Sequence, residues 1–130
     1  MSSNRYRGRS RPAPLLAAPG DALPVAVERE FGRQRCPCCL RSLSNKGVKR
    51  FQQTPTDKAT VGHDVAVARG GHPGAWFWMC FRCNNDQGVL DLVTWGRKLV
   101  YADDPRAPNV VKIATFVRSW VSAWRAKEED

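Results

Sequence analysis

The sequence predicts a small α+β domain. Three observations carry the prediction: two Cys-x-x-Cys pairs, an alternating β-branched stretch enclosed between them, and a C-terminal segment of helical apolar spacing. The 130 residues suffice for one domain with a modest core. In this reading residues 25–130 form that domain and residues 1–24 a flexible basic tail.

In the tail, Arg5, Arg7, Arg9 and Arg11 alternate with Tyr, Gly and Ser, and Pro12, Pro14, Pro19 and Pro24 interrupt regular structure. Little apolar surface is available there to offset the entropy of ordering. Residues 25–31 are expected as a short helix or turn leading into the first Cys pair. Residues 40–56 carry four basic side chains and mixed polarity, which suits a hairpin and loop. Residues 60–68 alternate and are β-branched enough to predict a strand. The run Gly70-Gly71-His72-Pro73-Gly74 must be a loop, and the apolar residues 76–79 fit a second, buried strand. After a polar turn to Gly88, residues 89–100 predict a helix; residues 103–108 then break the chain. The last element is an amphipathic helix at about 109–127. Val110, Ile113, Val117, Trp120, Val121 and Trp124 recur on one face, leaving Lys112, Arg118 and Arg125 to the wet side. Its two tryptophans are expected in the core.

Charge is the strongest compositional signal. The chain holds 21 Lys plus Arg against 12 Asp plus Glu, a net of +9, and residues 1–50 alone carry 11 basic and 3 acidic groups. Such an excess favours a polyanionic partner. There is no run of 18 apolar residues for a spanning helix. Residues 14–19 are too short and proline-broken for a signal-peptide core. A cytoplasmic setting with no membrane contact is therefore expected. Five cysteines in such a chain favour metal binding over disulfides.

Cys36, Cys39, Cys80 and Cys83 have the spacing of a tetrahedral four-sulfur zinc site. The 40 residues between the pairs exceed the usual finger spacing, so a folded insert must lie between the two halves. With a helix after the second pair, the arrangement is a zinc-stapled knuckle, hairpin and helix of treble-clef type. Cys38 is expected to face away, or else to take the place of Cys39 as a ligand. Thiol redox chemistry is the competing use, but neither pair sits in a strand–helix unit of thioredoxin type. A closed four-sulfur shell is structural, so any catalysis must come from the insert.

The insert reads Ala59-Thr60-Val61-Gly62-His63, then Arg69-Gly70-Gly71, then Cys80-x-x-Cys83-Asn84 and Gly88. With Cys36-x-x-Cys39 before it, this order and spacing over about residues 35–95 resembles the HNH endonucleases of the ββα-metal class, in the subgroup with two zinc-binding Cys pairs. The resemblance implies a structural zinc and a DNA phosphodiesterase using one Mg2+ or Mn2+ ion. It implies His63 as the general base and Asn84 as a ligand of the catalytic ion. An imidazole also suits a base working near neutral pH on general grounds. Four positions depart from the family pattern: Gly62 replaces a metal ligand, Ala75 an orienting Asn, Ala66 a Pro and Gln87 a Lys. Strand alternation puts residues 62 and 64 on one face, so Asp64 is the expected substitute ligand, about 6–7 Å further along. Asp57 and His72 are weaker candidates.

Two functions follow. One is a metal-dependent DNA nuclease in which Arg35, Arg41, Lys46, Lys49, Arg50 and Arg69 hold phosphates, with affinity but little sequence preference. The other is a non-catalytic zinc module on the same scaffold, binding nucleic acid or a protein; a protein partner would use the C-terminal helix. Need for a divalent ion besides zinc separates them.

Overall fold

A computed structural model of the chain describes residues 21–44 and 54–129. The predicted α+β class is what is found. Among the described residues there are four helices, α1 (Leu23–Phe31), α2 (Phe81–Gln87), α3 (Leu92–Tyr101) and α4 (Ala107–Glu129), and one sheet of two strands, β1 (Ala59–His63) and β2 (Trp76–Cys80).

Helix α1 starts two residues before the expected domain boundary. Pro24 sits in its first turn, where a proline's missing N–H and fixed φ are harmless. Leu23, Ala26 and Val27 are its buried face. The chain then turns tightly through Cys36 and Cys39. Leu40 N–H donates to Cys36 O at 2.8 Å and Cys36 N–H to Arg41 O at 2.9 Å. Leu40, at φ 64°, takes the left-handed conformation that this closure requires.

The strands β1 and β2 pair antiparallel with Val61 opposite Trp78, Gly62 opposite Phe77 and His63 opposite Trp76. Alternation gives the hairpin two unlike faces. Gly62, Phe77 and Met79 point inward and are buried, whereas Val61 and Trp78 are exposed. A Cβ on Gly62 would lie 2.1 Å from Met79 Sδ, so Met79 fills the space that a side chain would need.

The predicted strand at 60–68 is shorter than expected, ending at His63. Asp64 leaves the strand line because Asp64 Oδ1 accepts Leu92 N–H at 2.7 Å, the first turn of α3. Residues 67–69 then form one 3-10 turn, closed by Arg69 N–H and Gly71 N–H on Ala66 O. The expected polar turn after Cys83 is instead helix α2, for which periodicity gave no signal. Cys80 caps it, its Sγ accepting Cys83 N–H at 3.3 Å, and Gly88 at φ 56° ends it. Its polar side chains serve the sheet. Asn84 Nδ2 donates to Val61 O and Gln87 Nε2 to His63 O, both at 2.9 Å, so two carbonyls of β1 are satisfied by a helix rather than a third strand. Gln87 is accordingly buried.

Helix α3 begins at its cap Asp91, whose carboxylate accepts Thr94 N–H at 2.7 Å; that bond holds the carboxyl below its ordinary range. It packs on α4, where Gly96 lets Val110 and Val111 approach closely. The α4 boundaries bracket the expected 109–127. Val110, Ile113, Val117 and Trp120 are buried as predicted, while Trp124 is half-buried against the core. The apolar stripe of α4 is thus used within the domain. Trp120 Nε1 also donates to Asp21 O at 2.7 Å, tying the last helix to the approach to α1.

The fit of Met79 against Gly62 is directly testable. Gly62→Ala should cost about 1–3 kcal/mol in urea unfolding, and clearly less in a Met79→Ala background. Equal losses in both backgrounds would mean that Met79 is not what fills the site.

Candidate metal centre and adjoining site

Four sulfur atoms meet where the turn at 36–39, the end of β2 and the first turn of α2 come together. The Sγ atoms of Cys36, Cys39, Cys80 and Cys83 all lie within 4.8 Å of one another. Cys39 and Cys80 are 3.7 Å apart. A tetrahedral ion with bonds of about 2.3 Å to sulfur has an edge of about 3.8 Å. The group can therefore hold a metal ion, and all-sulfur donors at this spacing suit zinc. Cys36, Cys80 and Cys83 are buried and Cys39 half-buried.

Proton sharing makes the same point. The Cys36 thiol is pushed far below its ordinary range because Cys38, Cys80 and Cys83 donate to its sulfur. Hydrogen bonding to Cys36 correspondingly raises Cys80 to about 12 and lifts Cys83 well above the usual range. The neighbouring thiols thus stabilise one thiolate by hydrogen bonds; a metal bound there would displace their protons and stabilise all four as thiolates. Cys38 does not face away. It is buried, and its hydrogen bond to Cys36, with burial adding to it, pushes the thiol up. It backs onto the group, while Cys39 is the member that completes the four.

Arg106 is a participant that sequence reading missed. Its Nη1 donates to Cys83 Sγ at 3.5 Å and to Asp86 at 2.9 Å, and its Nη2 to Asp104 at 3.0 Å. The guanidinium also lies over the Trp95 ring, 5.4 Å from its centroid. Asp104, the strongest influence, holds Arg106 above its already high ordinary range, and in return Asp104 is held below its own. A fixed cation thus faces a group that carries net negative charge once four thiolates bind a divalent ion. The residues 103–108 looked only like a chain break, because nothing local signals a thiolate across 23 residues of sequence.

The second predicted constellation also converges. His63, Asp64, Arg69 and Asn84 line one cavity of about 240 Å3 beside Gln87 and the turn at Gly88. Asn84 Nδ2 is held by Thr60 Oγ1 at 3.0 Å and Val61 O at 2.9 Å, which fixes the amide and leaves Oδ1 as its remaining acceptor. Both oxygens of Asp64 are engaged, one by Leu92 N–H and the other by Arg118 Nε at 3.0 Å. Gly62 faces Met79 rather than the cavity. The shared face expected for residues 62 and 64 does not arise, since the chain leaves the strand at Asp64.

The remaining candidates are scattered. Arg35 Nη1 donates to Leu40 O at 2.9 Å, bracing the turn at 36–39, and Arg69 Nη1 donates to Val89 O at 3.0 Å. Arg41 lines a separate cavity with Arg82 and Arg106 beside Cys39. Lys46, Lys49 and Arg50 lie outside the described residues, as does the chain before residue 21. His72 sits in its own turn, with Nδ1 accepting Gly74 N–H at 3.0 Å and its ring edge-on to Trp120. It does not line the His63 cavity, and neither does Asp57. Ala75 is buried.

No protein-family model, curated protein or solved structure matches the chain. Among the described residues no helix is long and apolar enough to cross a membrane.

Purified protein should carry about one zinc per chain. Arg106→Gln should weaken its retention about tenfold in competition with a chromogenic chelator. Unchanged retention would reduce Arg106 to a partner of Asp86 and Asp104 alone.

Proposed function

We propose that this chain is a zinc-stapled ββα endonuclease of the HNH type, cutting DNA phosphodiester bonds with His63 as general base. The observation that carries this reading is the meeting of His63, Asp64, Arg69 and Asn84 at one cavity, from the end of β1, the connection that follows it and helix α2, whose first turn holds Cys83 of the sulfur group. These residues come from three stretches of sequence, and the order strand, loop, strand, helix is that of a ββα-metal unit.

His63 takes the proton from a water molecule as that water attacks the phosphorus. Asn84 Oδ1 and the Asp64 carboxylate are the atoms that would hold a divalent ion. When bound, Mg2+ or Mn2+ supplies Lewis acidity at the phosphate and stabilises the departing oxygen. Thr60 and Val61 orient the Asn84 amide, and Leu92 and Arg118 orient Asp64, as hydrogen bonds to ligand residues commonly do. Arg69 lends positive charge beside a phosphate, and the chain's net charge of +9 draws DNA to it.

One observation favours a second reading, a non-catalytic module that binds nucleic acid. Position 62, where the family has a ligand, is closed by Met79, and the Asp64 oxygens already serve α3 and Arg118.

Supercoiled plasmid separates the two. Nicking should require added Mg2+ or Mn2+, stop with EDTA, and fall by at least about 100-fold in His63→Ala. DNA binding without nicking under any ion would establish the binding module instead.

A further inference from the structure

The outer face of the β-hairpin is unlike the rest of the surface. It presents Val61 and His63 from β1 opposite Trp78 and Trp76 from β2. Val61 is 47% and Trp78 37% exposed, although each would gain from burial. Neither tryptophan joins the core or packs against it, in contrast to Trp95, Trp120 and Trp124. Their rings meet edge to face, 5.2 Å between centroids and at 87°, so Trp76 braces the Trp78 ring. A braced, exposed indole beside Val61 is an apolar platform, and it shares its face with His63.

We infer that this face is a stacking platform for the unpaired bases of single-stranded DNA. Charge selects that occupant. Residues 58–82 hold Lys58, Arg69 and Arg82 against the single acid Asp64, whose side chain is only 9% exposed; beyond them Asp57 precedes Lys58, and Asp86 lies 4.0 Å from Arg82 but pairs more closely with Arg106, at 2.9 Å. Lys58 and Arg82 flank the end of the hairpin at which β1 begins and β2 finishes, and Arg69 lies in the connection at the other end. Phosphates are attracted at both ends of a surface whose middle is aromatic, which is the pattern of single-strand binding. A second copy of the chain, also at +9, is repelled, and duplex DNA keeps its base faces stacked internally. The inference deepens the nuclease reading, on which it rests for the role of His63: the strand offered to His63 would be unpaired.

Binding is measured without added Mg2+ or Mn2+, so that cleavage plays no part. The probe is a fluorescein-labelled single strand of about 15 nucleotides, compared with its duplex, on the full-length zinc-loaded chain by anisotropy. Trp78→Ala should weaken single-strand binding about tenfold and duplex binding less than about twofold, and Trp78→Phe should restore most of the loss. Unchanged single-strand binding, or equal weakening on both probes, overturns the platform. So does sedimentation showing a dimer that Trp78→Ala dissociates. Cleavage is read separately, with Mg2+ or Mn2+ added, on the same single strand and on supercoiled plasmid: its absence on both with the stacking effect intact removes the nuclease and leaves the platform. Nicking without the stacking effect does the reverse.

Discussion

The convergence of four sulfur atoms organises this domain. Cys36 and Cys39 come from a tight turn, Cys80 from the last position of β2 and Cys83 from the first turn of α2, so a cation held there would tie the turn at 36–39 to the junction of β2 and α2. Between the pairs lie the whole of β1, its connection and most of β2. A two-stranded sheet is marginal on its own. Here Cys80 both closes the sulfur group and caps α2, which presents Asn84 and Gln87 to the carbonyls of β1. The sulfur group, the helix and the open edge of the sheet are therefore one mechanical unit. A cation bound by the four sulfurs would fix the helix that completes the hairpin and, with it, the amide at the His63 cavity.

The second constraint lies at Gly62. The inward face of β1 has no room for a side chain there, because Met79 occupies the position. A ligand at residue 62 is incompatible with this packing, because that face of β1 belongs to the core while His63 lies on the other face. Asp64 is caught in a comparable conflict. It ends the strand, receives α3 and pairs with Arg118, joining the hairpin to both C-terminal helices. Its carboxylate would have to serve an ion while keeping those bonds.

Much of this was legible in the sequence, for identifiable reasons. The Cys pairs declared themselves through a two-residue spacing that has a direct geometric meaning. Helix α4 was visible because its apolar residues repeat at three and four, and the second strand because it is a short apolar run. Helix α2 was invisible for the opposite reason: its sequence is polar, since its side chains bond to a strand edge instead of packing in a core. The early end of β1 was equally hidden, because the pattern of residues 64–68 suits a strand and only the tertiary bond from Asp64 to α3 overrides it. Arg106 and Cys38 escaped for lack of any local signature. His63 and Asn84 were singled out by a family resemblance rather than by periodicity; of the four departures from that family's pattern, Ala66 and Gln87 line the His63 cavity, whereas Gly62 and Ala75 are taken up by the core.

The sulfur group holds this arrangement together, and X-ray absorption at the zinc edge of the purified full-length chain probes it most directly. The prediction is four sulfur neighbours at about 2.3 Å and no nitrogen or oxygen neighbour, with the spectrum kept in Cys38→Ser and lost in Cys39→Ser. A mixed sulfur and nitrogen shell, or a spectrum that depends on Cys38 and not on Cys39, would contradict it.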